Sequence, residues 1–173
     1  HERVENALRA MEEAHPEGIT PEDMQTYVSK DPTPENFAAA VKLVDKSPVA
    51  ERKSKHLLRD FAPVLTGNPR EMKRLLNAFA MRRALWILQI STVSMEVLFR
   101  WTIIEQSYPA LADELIDDPE WIEFFTDDDE KEDIPKKIAP FLDIQAIPQI
   151  ITEYGNDPLT ADHIRNITKG FGN

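Results

Sequence analysis

The stretch Gly67–Asn77, "GNPREMKRLLN", carries a sharply specified helix start, and the organisation of the chain can be read outward from it. Asn68 stands in the cap position, Pro69 at the first helical position and Glu71 at the third, the arrangement that satisfies free N–H groups at a helix N-terminus. At about 100° per residue, Arg70, Lys73, Arg74 and Asn77 share one stripe, while Met72, Leu75, Leu76, Phe79 and Trp86 share the opposite one. One face packs and the other presents cations. Positive side chains in the first turns oppose the helix dipole by about 0.3–1 kcal/mol each unless an anion stands there. A phosphate suits both the free N–H groups and the guanidinium forks.

The same start signal recurs along the chain. Thr20-Pro21 with Asp23, and Thr33-Pro34, predict helices whose apolar stripes include Phe37, Ala40, Val41 and Val44. An earlier helix carries Val4, Leu8 and Met11 and stops at "HPEG", and a later one brings Leu57, Leu58 and Phe61 inward before "FAPVLTGNP" breaks it. The helix from Pro69 runs to about Gln89. Ser94 caps the next, built on Val97, Leu98, Trp101, Ile104 and Glu105 and ended by Pro109. "LADEL" and "PEWIEFF" read as short helices. The final third reads as short helices interrupted by Pro140, Pro148 and Pro158. Period-two strand runs are hard to find. The expected fold is all-α, an irregular multi-helix bundle of short proline-initiated helices. Three segments follow: an N-terminal helix over 1–18, a helical domain over 19–116 containing the Gly67–Asn77 motif, and an acidic loop with a C-terminal helical extension over 117–173.

The 173 residues, 42% of them hydrophobic, suffice to bury a core. His1 at the start, with no signal-like apolar run behind it, makes the chain read as a segment of a longer protein. "ALWILQISTV" is too short and interrupted to span a membrane. The absence of cysteine excludes disulfides and thiolate chemistry and points to the cytoplasm. A net charge of −11 argues against a protein that coats nucleic acid, yet nine of the basic residues lie between Arg52 and Arg83.

Gly67-Asn68-Pro69-Arg70, followed by Lys73-Arg74 and Asn77, resembles the "NPR...KR..N" signature in the helical part of KAP-family P-loop NTPases. A related Gly-x-Pro-Arg pattern occurs in the helical lids of AAA+ and STAND ATPases. "ITPEDMQTYV" and "VLFRWTIIEQSYPALADEL" extend the resemblance over about Ile19 to Leu115. The resemblance implies a lid in which Arg70 contacts nucleotide phosphates, Lys73 and Arg74 support it, and Gly67, Asn68, Pro69 and Asn77 form the structural motif. It also implies ATP or another NTP with magnesium in the parent protein, a partner NTPase core on the same chain, and an association of bacterial members with defence against phage. No Gly-x-x-x-x-Gly-Lys-[Ser/Thr] loop can be built from glycines 18, 67, 155, 170 and 172, so this segment alone holds no nucleotide stably and has no catalytic residues of its own.

Other constellations point to less. The histidines 1, 15, 56 and 163 lack metal-ligand spacing, and no metal site is expected. "TDDDEKED" reads as a solvated acidic loop lacking the glycine and terminal Glu of a calcium loop. Trp86 and Trp101 belong to apolar contexts. Two rival functions remain open: a nucleic-acid-binding surface from Arg52, Lys53, Lys55, Arg59, Arg82 and Arg83, or an interaction scaffold in which Trp121, Phe124 and Phe125 with the acidic C-terminal region bind a protein partner.

Overall fold

A computed structural model describes residues 2–16, 18–46, 48–65, 67–88, 93–126, 133–154 and 156–169. Every regular element among them is helical. The helices are α1 (Glu2–Ala14), α2 (Pro21–Lys30), α3 (Pro34–Lys46), α4 (Pro48–Asp60), α5 (Pro69–Leu88), α6 (Met95–Ser107), α7 (Pro109–Asp117), α8 (Ala139–Leu142), α9 (Ala146–Pro148) and α10 (Ala161–Lys169). Five of them begin on a proline, which supplies a preset φ where its missing N–H is not needed. Most of the expected acidic loop (127–132) and the glycines of the tail lie outside the described residues. Among the described residues no helix is long and apolar enough to cross a membrane.

The chain packs as two compact units. The first comprises His1–Arg59 and Ala80–Thr92. Here α3 packs against both α1 and α2. Ala39 and Ala40 are fully buried and Leu43 is nearly so, and Met11, Met24, Val28 and Trp86 of the same unit are buried as well.

The second unit comprises Asp60–Phe79 and Val93–Asn173. Its centre is α6, on which every residue from Val97 to Ile104 is buried. Burial all round demands partners on all sides, and α7, α10 and the turn Gln149–Glu153 each contact it. Phe99 meets Phe79 and Phe61 edge-to-face at ring separations of 4.8 and 5.3 Å. Tyr108 closes α6, its N–H donating to Ile104 O (2.7 Å), and its carbonyl accepts the Ala112 N–H (3.0 Å) at the start of α7.

Two local expectations change. "PEWIEFF" forms a 3₁₀ helix over Pro119–Phe125. Its two buried residues, Ile122 and Phe125, are three apart, the spacing that three residues per turn aligns on one face. Pro148 does not interrupt the chain. It lies in the first turn of the helical run from Ala146, where its missing N–H has no intrahelical partner to lose, and a π turn (Gln149–Glu153) follows directly.

Candidate functional site

The start of α5 is capped as expected in outline and differently in detail. Asn68 Oδ1 accepts the Arg70 N–H at 3.0 Å, and the Asn68 carbonyl accepts the Met72 N–H at 3.0 Å. Glu71 closes the arrangement by accepting from the Asn68 side-chain amide at 3.3 Å, where a standard capping box would use the backbone N–H of the cap residue. The first turn is thus tied by a side chain bonded in both directions. A Cβ added at Gly67 would meet nothing within 4 Å, so close packing does not require glycine there.

The motif residues Gly67, Asn68, Pro69, Arg70, Lys73, Arg74 and Asn77 are all exposed. Among the described residues none of the three cationic side chains enters an ion pair. The opposite face is held inward by Leu75 and Phe79, 5% and 3% exposed, and by Trp86 further along the helix, with Met72 and Leu76 half-buried. The stripe division predicted for α5 therefore holds.

Beside this helix start lies a cleft of about 410 Å³, within the second unit. One wall is Glu71, Met72, Arg74 and Leu75, spread over the flank of α5 between its cationic and apolar stripes. The other wall comes from Leu65 and from Gln106, Ser107 and Tyr108 at the end of α6. The volume falls in the range of small-molecule sites, roughly 300–1,000 Å³. Of the three predicted cations only Arg74 lines it; Arg70 and Lys73 project from the exposed stripe outside it. Burial pushes the Tyr108 phenol above its usual value, so it stays protonated and able to donate at neutral pH. The cleft thus joins one cation, a neutral phenol, an amide, a hydroxyl and one carboxylate to the apolar side chains of Leu65, Met72 and Leu75. Such a lining can hold a polar anionic group against an apolar body.

The most constrained polar residue of the second unit is Arg100, which motif reading overlooked. Its side chain is fully buried and donates to the carbonyls of Ile150 and Tyr154 and to Glu96 Oε1 at 2.9 Å, while its guanidinium lies 5.1 Å from the Phe61 ring centroid. Glu96 in turn accepts the Asp157 N–H at 3.0 Å, and Ser94, the cap of α6, donates to Asp157 Oδ2 at 2.5 Å. Burial lowers the Arg100 pKa, and Glu96 and then Asp157 oppose the shift. A cation inside the apolar run "VLFRWTII" was the available signal.

The rival surfaces keep part of their residues. Arg52, Lys55 and Arg59 are exposed on α4, but Arg82 and Arg83 are half-buried, and the side chain of Lys53 lies outside the described residues. Phe125 is 6% exposed and packs inward, leaving Trp121 and Phe124 half-buried, so the three aromatics do not form an open patch. Among the described residues no three His, Cys, Asp or Glu residues converge as metal ligands. No family model, curated protein or solved structure matches the chain.

Proposed function

We propose that this chain is the helical lid of a KAP-like P-loop NTPase, in which Arg70 contacts nucleotide phosphates and Lys73 and Arg74 support it. The observation that supports this reading best is the start of α5, where three exposed cations without ion pairs among the described residues occupy the first turns of a firmly capped 20-residue helix. Cations placed against the helix dipole cost stability unless an anion compensates them, and a triphosphate does so. The NTP and its magnesium belong to a core carried elsewhere in the parent protein. The segment reads as non-catalytic alone because it has no Walker-type loop. Closure of the lid on that core would transmit nucleotide state, a hinge motion of a common kind.

The test is Arg70→Ala in the full-length protein. Turnover or nucleotide affinity should fall by about tenfold or more, as expected for loss of a charge-assisted phosphate contact. The helical circular dichroism of the segment should be unchanged, because Arg70 is exposed. Undiminished turnover would count against the reading, as would a parent sequence lacking a Walker-type loop.

A further inference from the structure

Helix α3 is apolar on two faces. One face, with Ala39, Ala40 and Leu43, is buried in the first unit. The other carries Pro34, Phe37, Ala38 and Val41, at the i, i+3, i+4, i+7 spacing of a helix-packing seam. These residues, with Lys42, line a second groove, about 630 Å³ in volume. Phe37, Ala38 and Val41 are each only half-buried, and Pro34 is exposed. Ala38 makes a gap between two larger side chains, the shape into which a residue of a facing helix can insert.

The charges beside the seam indicate what fits it. At about 100° per residue, Glu35 and Lys42 fall on the same flank of Pro34, two turns apart. Their midpoint lies within one residue of the midpoint of the seam. A two-fold axis near Ala38, perpendicular to the helix, therefore brings Glu35 of each copy beside Lys42 of the other. Parallel pairing would instead carry this flank to opposite sides of the seam in the two copies, where Glu35 and Lys42 cannot meet. Within its own chain Glu35 has a long ion pair, 3.8 Å from Arg3, whose side chain is 87% exposed, and such pairs hold little. Lys42 is exposed.

We infer that this face of α3 binds a second copy of the chain, as an isologous, antiparallel α3–α3 pair closed by two Glu35–Lys42 contacts. One pair of 13-residue helices buries less than the roughly 1,200–2,000 Å² of a standard stable interface. Association is correspondingly weak, with Kd in the range of about 10 μM to 1 mM.

Sedimentation velocity on the 173-residue chain, from about 10 to 500 μM at low salt, tests this. The wild type should shift toward dimer as concentration rises. Glu35→Lys or Lys42→Glu alone should weaken association by about tenfold or more, because each sets like charges together twice. The double variant E35K/K42E should recover it, and an equimolar mixture of the two single variants should hetero-associate. Thermal melts of each variant check folding. A wild type that stays monomeric throughout, leaving the groove to a different partner, overturns the proposal. So does a dimer indifferent to the single swaps, or a folded double variant that fails to recover.

Discussion

Arg100 shows how much a single side chain organises in the second unit. It binds two carbonyls and a carboxylate at once, using the planar fork that lysine lacks. Replacing it by Met would take the guanidinium donors from the carbonyls of Ile150 and Tyr154 and from Glu96, which would keep only the Asp157 N–H. Loss of one member of such a network costs about 3–5 kcal/mol. Urea denaturation of Arg100→Met should show that loss, and Arg100→Lys should recover only a minor part of it. A penalty below about 1 kcal/mol, typical of surface pairs, would show that the network is not the staple described. The residue itself was visible in the sequence as a cation among apolar neighbours. Its function was not, because two of its three acceptors are main-chain atoms about fifty residues away, and no local pattern marks a carbonyl as an acceptor.

Helix starts were legible because their chemistry is local. Thr20 and Asp23 form the reciprocal capping box that their spacing predicts, with Asp23 N–H to Thr20 Oγ1 at 3.1 Å and Thr20 N–H to Asp23 Oδ2 at 2.9 Å. Thr20→Ala should lower stability by about 1 kcal/mol, measured as a shift in the urea midpoint with an unchanged slope. No shift would mean that Pro21 and the packing of α2 on α3 specify the helix start without the cap. The helical subtypes of the final third were less legible. An α and a 3₁₀ helix differ only in which carbonyl each N–H selects, and at "PEWIEFF" burial of Ile122 and Phe125 decides that. The π turn after Pro148 likewise accompanies tertiary contacts, since Arg100 holds its Ile150 carbonyl. At α5 the stripes were legible and the cleft was not. Its second wall is the end of α6, brought alongside by tertiary packing.

Over the whole chain, charge is segregated between the units. The first carries eleven acidic and eleven basic residues, the second twenty acidic and nine basic, so the net charge of −11 resides entirely in the second. Like charges at that density repel, and mobile ions screen them within about 8–10 Å at physiological salt. Raising NaCl from about 10 to 150 mM should therefore raise the melting temperature by a few degrees, as followed by calorimetry. A melting temperature that falls instead would mean that favourable local pairs, such as Lys137–Glu114 at 2.9 Å, outweigh the general repulsion. The total was plain from composition, but its partition required knowing which residues pack together. The Arg100 network also sets a schedule for synthesis. Its main-chain acceptors Ile150 and Tyr154 follow it by 50 and 54 residues, so at about 5–20 residues per second a nascent chain offers the guanidinium only Glu96 for roughly 3–10 s before those carbonyls have been translated. During that interval α6, buried in the fold all round from Val97 to Ile104, must remain open to water or to a chaperone, which makes the last third of the chain the step that commits α6 to its fold.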